Sequence, residues 1–352
     1  GPIVPYPDPI RRRSLAAVAG LVASVVAGQA IQAQVRSEDG PVLIAVGGRT
    51  AMSWLPLSLA VQLGYFRAEG LDVSVIDCAD EAAALQLVAT GGAHVASCSF
   101  GHTIRQQARG QGLQAFVLQS RSPQVAVGAS TRTMADYRNG SDLRGRRIGV
   151  SANDPVSQSL VATLLSRVGL GAADVNMVGV GVGSDALNAL RSGQIDAISN
   201  LEPVMTMLEH RGDVRIVADT RTLAGTQAWL GGPMPGGCLC APTDYLQRHP
   251  GACQALAYAI VRALKWLRTA GPGDIIRTLP ESYLLGDRGL YLMSLAKVSE
   301  SFSFDGLMAE DGPRVALRVL ADTDASLRAD RVNLSRTYTN AFARVAKERF
   351  KA

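Results

Sequence analysis

Polar side chains are concentrated in four segments of the sequence that also contain the glycines and prolines typical of loops. Each segment follows a short apolar run and precedes a stretch of helical period, which predicts a connection from a strand to a helix. Their polar residues are Thr50, Ser53, Ser97, Ser99, His102, Asn153, Asp154, Ser157, Asn200 and Glu202. Free N–H groups at helix N-termini bind anionic and polar groups. Any single Ser or Thr here is also a typical helix cap, but four such segments favour a binding site for a small polar or anionic molecule.

Two arginines and three aromatic residues extend this candidate site. Arg49 and Arg121 are the basic residues nearest to predicted strand ends, where a guanidinium can hold a sulfonate, carboxylate or nitrate through two hydrogen bonds. The alternative for each is a surface arginine. Trp54, Phe100 and Trp229 are candidates for apolar walls around the organic part of a solute.

Glu202 has two interpretations that bear on the charge of the ligand. If its carboxylate faces the site, a ligand with an amine or another hydrogen-bond donor is favoured. If it caps the helix that begins at Pro203, it says nothing about the ligand.

The sequence contains little that could perform catalysis. Its 35 basic residues include only four lysines, all in the C-terminal quarter: Lys265, Lys297, Lys347 and Lys351. Lysine-bound cofactor chemistry in the site is therefore not expected. There is no Gly-x-Ser-x-Gly motif or His/Cys cluster with metal-ligand spacing, and the five cysteines, an odd number, favour buried thiols. We expect a binding protein with no enzymatic activity, cofactor or metal site.

Composition limits the class of protein further. The 352 residues are 47% apolar and 18% charged, which is too apolar for a disordered chain and long enough for two compact lobes. The net charge is +5, but basic and acidic residues are interspersed along the chain. A nucleic-acid partner is therefore not expected.

Residues 1–33 have the layout of a secretory signal peptide. Arg11–Arg13 precede Leu15–Gly28, an uncharged run of 14 residues, and small residues follow. A run of this length is shorter than the ~20 residues needed to span a bilayer. We expect export to the periplasm and a soluble mature chain, with the general secretory and twin-arginine routes both open.

The order of predicted elements repeats along the chain. Strands and helices alternate as β-α-β-α-β from Val42 to Ser97 and again from Arg147 to Ser199, at an offset of about one hundred positions. This alternation predicts an α/β fold of two lobes, each a parallel or mixed sheet flanked by helices. Ligands of open α/β sheets bind beyond the carboxyl ends of the strands, so the four polar segments should face one cleft.

The predicted boundaries place the chain crossings near Leu118–Val127 and Gly236–Ala241. Lobe 1 then consists of residues 41–122 and 237–352, and lobe 2 of residues 123–236. The first repeat includes a predicted helix over Pro56–Glu69. The C-terminal region is predicted to be mostly helical and to pack back on a lobe.

Five segments carry a resemblance to a known family: Leu55–Val73, Ser141–Val150, Ser192–Ala197, Glu202–Pro203 and Val332–Thr339. They resemble periplasmic substrate-binding proteins of the sulfonate, nitrate and taurine uptake group, which shares its fold with the thiamine-pyrimidine precursor proteins. One departure is His94, which stands where the first lobe of the family usually has Asp. The matching residues are mostly structural glycines and caps, so they favour the fold more than any ligand.

The resemblance implies a monomeric venus-flytrap protein that closes over a small solute and delivers it to an ABC permease and its ATPase. The implied solute is a small organic anion of the sulfonate, taurine, nitrate or aromatic carboxylate type. The alternative is a thiamine-pyrimidine precursor or another heterocycle. A pyrimidine-precursor synthase, which needs a lysine in the cleft, and a sensor binding protein are the remaining alternatives.

Overall fold

Two five-stranded sheets organise the computed structural model, which describes residues 40–352. The predicted signal peptide, residues 1–33, lies outside the described residues. The strands are β1 (Val42–Gly47), β2 (Val73–Cys78), β3 (Val95–Ser99), β4 (Leu113–Leu118), β5 (Ala126–Ser130), β6 (Arg147–Val150), β7 (Asn176–Gly179), β8 (Ala197–Asn200), β9 (Val214–Asp219) and β10 (Gly237–Pro242).

Helices surround the sheets and form most of the C-terminal region. They are α1 (Leu55–Gln62), α2 (Tyr65–Ala68), α3 (Glu81–Ala89), α4 (Gly101–Ala108), α5 (Ser159–Ser166), α6 (Ser184–Arg191), α7 (Val204–His210), α8 (Leu223–Leu230), α9 (Thr243–Arg248), α10 (Pro250–Thr269), α11 (Pro272–Thr278), α12 (Arg288–Val298), α13 (Gly312–Thr323) and α14 (Ala341–Phe350). Within residues 40–352, none of these helices is both long and apolar enough to cross a membrane.

Both sheets have the same plan. The first has the order β2-β1-β3-β10-β4 and the second β7-β6-β8-β5-β9. In each sheet the fourth strand of this order, β10 or β5, is antiparallel to both neighbours, and the other four strands are parallel. Each antiparallel strand is the first one after the chain has crossed from the other sheet. We call the first sheet with its helices lobe 1 and the second sheet with its helices lobe 2.

The first predicted helix is broken in two. The apolar period predicts one helix over Pro56–Glu69, but the chain forms α1 and α2, separated by Gly64. Gly64 has a φ of 74°, a left-handed conformation that costs glycine little. The period continues across the break because both helices bury apolar side chains, such as Leu59 and Phe66, in the core of lobe 1.

The two repeats brace their first strands in the same way although the bracing residue differs. In lobe 1 the backbone N–H of Leu43 donates to Nδ1 of His94 at 3.0 Å. In lobe 2 the backbone N–H of Arg147 donates to Oδ2 of Asp196 at 3.1 Å. His94 therefore accepts the same kind of hydrogen bond as the aspartate that it replaces.

Two crossing segments, residues 119–125 and 231–236, join the lobes and lie against each other. The N–H of Gly236 donates to the carbonyl of Ser120 at 3.1 Å. A Cβ added at Gly236 would lie 2.1 Å from the carbonyl oxygen of Ser122, so a side chain does not fit where the crossings meet. The crossings thus form one connected hinge.

The C-terminal region packs on both lobes. In the core of lobe 1, α10 packs against α1, and α14 packs against α10 and β4. α12 packs against α7 of lobe 2, where Leu290 joins the apolar cluster of that lobe. α13 packs against both α5 of lobe 2 and α4 of lobe 1, and its Arg318 donates to the carbonyl of Leu230. Residues 288–323, which the sequence pattern assigns to lobe 1, therefore contact both lobes.

Candidate ligand-binding site between the lobes

A cavity of about 40 Å³ lies between the lobes at the carboxyl ends of the strands. This is room for a few water molecules, since one water needs at least about 10–15 Å³. Five hydroxyl-bearing residues line it: Ser99, Ser151, Ser157, Ser159 and Thr220. Its apolar wall includes Val156, Leu160, Leu201, Leu230 and Met234. Glu81 also lines it, whereas no arginine or lysine of residues 40–352 does.

Glu81, His102 and Asp154 form a buried cluster at this cavity that joins the lobes. Glu81 begins α3 and His102 lies in the first turn of α4, both in lobe 1, whereas Asp154 follows β6 in lobe 2. Nε2 of His102 is 3.5 Å from Oε1 of Glu81 and 4.0 Å from Oδ1 of Asp154. Ser99 donates its N–H to Glu81 at 2.6 Å, and Ser157 donates both its N–H and its hydroxyl to Asp154. Of these contacts, the one between His102 and Asp154 spans the two lobes.

Burial and neighbouring charges oppose each other in this cluster. Burial disfavours the charged imidazole, but Glu81 and Asp154 outweigh it and raise the pKa of His102 above its ordinary value of 6.5. Burial also disfavours the charged form of Glu81, but His102 outweighs it and lowers the pKa of that carboxyl below 4.5. Arg105 opposes protonation of His102, although its own guanidinium pairs with Asp324 at 3.2 Å. The imidazolium and the carboxylate therefore stabilise each other.

We expect replacement of His102 by glutamine to destabilise the protein most between about pH 4.5 and pH 6.5. A raised pKa of His102 adds stability that is complete below pH 6.5, the pKa of an unfolded histidine. This stability disappears as the pH rises through the pKa of His102 in the folded protein. A lowered Glu81 pKa adds stability above 4.5 that disappears as the pH falls through its folded value. Urea unfolding of wild type and His102→Gln from pH 4 to pH 9 measures the difference. The exposed His210→Gln is the control, and a deficit for His102→Gln that is the same at every pH would contradict the charged pair.

Two further contacts close the lobes on each other. The N–H of Met52 in lobe 1 donates to the carbonyl of Glu202 in lobe 2 at 2.8 Å. A Cβ added at Gly48 would lie 2.2 Å from a methyl group of Val182 in lobe 2. The described arrangement is therefore a closed one.

Four buried polar atoms close to strand ends have no hydrogen-bond partner among residues 40–352: Oγ of Ser53, Nε1 of Trp54, Nε2 of His102 and Oγ of Ser199. Ser53 and Trp54 follow β1, His102 follows β3, and Ser199 lies in β8. Buried polar atoms in proteins are normally satisfied by protein, water or ligand. None of these four residues lines the cavity, and Nε2 of His102 is within ion-pair distance of Glu81.

The structure brings four of the predicted site residues to the cavity or its charged cluster: Ser99, His102, Asp154 and Ser157. Ser53, Trp54 and Phe100 are buried in the lobe cores. Ser97 is buried and accepts from Nε2 of Gln119, and Asn200 donates to the carbonyl of Gly181. Thr50 is half-buried after β1, and Asn153 is exposed.

Three other predicted residues lie away from the cavity. Arg49 is exposed and its Nε is 3.8 Å from a carboxylate oxygen of Asp77. The guanidinium of Arg121 lies 4.3 Å from the ring centre of Phe304, beside the hinge. Trp229 lines a separate groove on lobe 2. The cationic groups that the sequence suggested for an anion are thus directed elsewhere.

Glu202 belongs to a buried ionic network inside lobe 2. Its Oε1 lies 3.0 Å from Nη1 of Arg221, and it also accepts from the N–H of Thr206 at 3.1 Å. Arg221 further contacts Asp219 at 2.9 Å and Glu209 at 3.2 Å. Of the two interpretations of Glu202, the structure agrees with the capping of α7, because the carboxylate faces the first turn of that helix.

Sequence reasoning missed Glu81 and Thr220. Both follow strands, β2 and β9, whose loops were not among the four polar segments. A signal for Glu81 existed, since Asp80 caps α3 by accepting from the N–H of Ala83. A similar signal existed for Thr220, which lies in the loop before α8, where Thr222 accepts from the N–H of Gly225.

Comparison with known proteins identifies relatives by sequence and by fold. A family model described as NMT1/THI5 like matches residues 52–270. A solved structure of a Bordetella bronchiseptica RB50 protein shares 45% identity and has a TM-score of 0.87, covering 90% of this chain and 99% of that one. No curated protein matches the chain.

Two more distant structures show the fold. One is the alkanesulfonate-binding protein SsuA from Xanthomonas axonopodis pv. citri bound to MOPS, at 17% identity and a TM-score of 0.65, covering 87% of this chain and all of that one. The other is the periplasmic nitrate-binding protein NrtA from Synechocystis PCC 6803, at 12% identity and a TM-score of 0.68, covering 88% and 89%. The predicted periplasmic-binding-protein fold is confirmed. Because the family model covers more than half of the sequence, the chain belongs to the NMT1/THI5-like family.

Proposed function

We propose that the protein is the solute-binding component of an ABC importer, exported to the periplasm and acting as a monomer without catalysis. The observation that carries this proposal is a cavity built from both lobes, with Glu81 and Ser99 on one side and Ser157 and Thr220 on the other. Structures of the same fold bind alkanesulfonate and nitrate. A solute in this cavity shifts the lobes toward closure only by binding the closed form more tightly.

The lining favours an uncharged or weakly basic ligand with N–H donors, such as an aminopyrimidine or a related heterocycle. The carboxylate of Glu81 is a strong hydrogen-bond acceptor at the wall, and no cationic side chain of the described residues lines the cavity. An amino group near Glu81 would gain a charge-assisted hydrogen bond. The neighbouring leucines and Met234 would cover the faces of a ring.

A small anion is the second candidate because two helix N-termini reach the cavity. Gly101 begins α4 and Ser159 begins α5, and both residues line it. Backbone N–H groups at such positions can hold an anion without arginine. The carboxylate of Glu81 would oppose such a ligand by like-charge repulsion.

The volume of the cavity limits how either ligand is held. About 40 Å³ is too small for a six-membered ring, so a ring-sized solute must hold the lobes further apart than they stand in this arrangement. A lysine-dependent synthase finds no support, because no lysine among residues 40–352 lines the cavity.

Isothermal titration with aminopyrimidines, alkanesulfonates, taurine, nitrate and aromatic carboxylates tests the proposed ligand class. We expect an aminopyrimidine to bind and Glu81→Gln to weaken it about tenfold or more, since a hydrogen bond to a charged group contributes about 1.5–3 kcal/mol. The exposed Glu310→Gln, with the same change of charge, should bind as the wild type does.

An alkanesulfonate or nitrate that binds more tightly in Glu81→Gln than in the wild type would select the anion instead. If no solute of the panel binds and no member alters the unfolding temperature, the proposed solute class is wrong. Unfolding temperatures of both variants must be recorded, because Glu81 also pairs with His102.

A further inference from the structure

We propose that a second site, a groove between α10, α11 and α12 in the C-terminal region, binds a small amphipathic anion with an aliphatic body, such as a medium-chain carboxylate. The groove has a volume of about 540 Å³, far larger than the cavity between the lobes. Ligand pockets in proteins fall at about 300–1,000 Å³. The groove therefore has the capacity of a site for an organic molecule.

The walls of the groove are mostly aliphatic, with two phenylalanines, Phe302 and Phe304. Leu264 and Leu267 of α10 face Leu292 and Leu295 of α12, and Ile275 of α11 also lines the groove. Leu267, Leu292 and Leu295 are only partly buried, so apolar surface remains open to solvent. Such a channel of leucines matches an alkyl chain better than it matches a polar solute.

One guanidinium group, that of Arg268, lines the groove, and a second, that of Arg121, lies nearby against the ring of Phe304. Arg268 and Arg121 lie 5.4 Å and 4.3 Å from the ring centre of Phe304, which lines the groove and is 46% exposed. Neither forms an ion pair within residues 40–352, and Nε of Arg121 is a buried atom without a hydrogen-bond partner. Two cations beside an exposed ring and an aliphatic channel complement a molecule with an anionic head and an alkyl tail.

The one acidic residue of the lining does not cancel this charge. Glu300 is held by lobe 2, because its Oε1 accepts the N–H of Leu223 at 3.1 Å. Its carbonyl accepts from the guanidinium of Arg121. The carboxylate is thus engaged with the N-terminus of α8, whereas the guanidinium of Arg268, the arginine of the lining, forms no ion pair within residues 40–352.

The groove is also connected to the hinge. Arg121 and Gln124 belong to the first crossing segment, and both are bonded to the residue that follows Glu300. The N–H of Arg121 donates to the carbonyl of Ser301 at 2.6 Å, and Nε2 of Gln124 donates to its hydroxyl at 2.6 Å. A molecule that orders this wall of the groove would therefore also stiffen the hinge.

Isothermal titration of the full chain with hexanoate, octanoate, decanoate and decanol tests the site. We expect affinity to rise about tenfold for each two methylenes, as for a chain buried in an apolar channel. Arg268→Gln should weaken decanoate about tenfold and leave decanol unchanged. The exposed Arg314→Gln on α13, which removes the same charge elsewhere, should leave both unchanged.

Leu295→Trp fills the groove and should abolish the binding of both decanoate and decanol. Circular dichroism and the unfolding temperature report whether Leu295→Trp is folded. If Leu295→Trp does not fold, Arg268→Gln still tests the site, because it changes an exposed side chain. Hydrogen exchange at the amides of Arg121 and Leu223 should slow when decanoate is bound.

Absence of decanoate binding at millimolar concentration, or equal binding in wild type and Arg268→Gln, would overturn the second site. Decanoate that still binds to folded Leu295→Trp but is displaced by a ligand of the interlobe cavity would place the acid in that cavity instead. That result would reject the groove and leave the proposed function standing. Unchanged exchange at Arg121 and Leu223 with decanoate bound would reject the connection to the hinge.

Discussion

Replacing Arg221 with methionine should lower the free energy of unfolding by about 3–5 kcal/mol, the usual cost of breaking a buried ion pair from one side. The side chain of Arg221 is 1% exposed and that of its partner Glu202 is fully buried. Methionine fills similar space but leaves the carboxylate of Glu202 without a counter-charge in the interior of lobe 2. Urea unfolding at pH 7 measures the loss.

Two further variants separate the buried network from a general effect of removing an arginine. Arg248→Met breaks a pair with Asp244 in which both side chains are mostly exposed, and it should cost less than about 1 kcal/mol. The double variant Arg221→Met with Glu202→Gln should be more stable than Arg221→Met alone, since the stranded charge is gone. An Arg221→Met variant as stable as Arg248→Met would show that the network contributes nothing.

The deficit of Arg221→Met should shrink as the pH falls. Burial raises the pKa of Glu202 above 4.5 even though Arg221 opposes the shift. Without the guanidinium the pKa rises further, and a carboxyl that holds its proton more tightly when folded adds stability at low pH that is lost as the pH rises. Unfolding curves at pH 4 and pH 7 compare the two conditions.

Replacing Gly101 with valine should reduce affinity for the solute of the interlobe cavity by about 5-fold to 150-fold. Gly101 begins α4 in lobe 1 and lines the cavity, and its added Cβ would lie 3.2 Å from methyl groups of both Val156 in lobe 2 and Leu320 of α13. Valine adds two more methyl groups at these contacts. Overpacking costs about 1–3 kcal/mol, and opening of the lobes relieves the part that arises against Val156, so the closed form bears that cost.

Small-angle scattering and titration check this expectation together. The radius of gyration of Gly101→Val should exceed that of the wild type, and urea unfolding measures the separate cost of the contact with Leu320. Gly251→Val, in the first turn of α10 with no atom within 4 Å of an added Cβ, is the matched control. A Gly101→Val protein that is as compact as the wild type and binds equally well would contradict the closed contact.

The sequence predicts the parts of the fold that depend on local patterns. Continuous apolar strands such as β1 and β6, and the offset of about one hundred positions between repeats, were enough to predict two α/β lobes. The pattern did not show that β5 and β10 run antiparallel. Strand direction is set by the crossings between lobes, a long-range property that the apolar period of one strand does not contain.

The site was predictable where a polar residue lies at the junction of a strand and the following helix. His102, Asp154 and Ser157 occupy such positions, and the structure brings them to the cavity or its charged cluster. Arg121 and Glu202 are the opposite case. Their residue types suit a ligand, but their orientation depends on distant partners. Arg121 donates to Glu300, 179 positions away, and Glu202 pairs with Arg221, 19 positions away.

The helices α12 and α13 that cover lobe 2 impose an order on folding. The sheet and helices of lobe 2 are complete by Leu230, but the helices that pack on the outer sides of α5 and α7 lie in residues 288–323. A chain is synthesised from its N-terminus, so about sixty more residues must leave the ribosome after Leu230 before α12 and α13 can pack on lobe 2. Until Leu290 has followed, the apolar cluster of lobe 2 that contains Leu187 and Met205 lacks this member. A nascent chain stopped before residue 288 should accordingly bind holdase chaperones that the finished protein ignores.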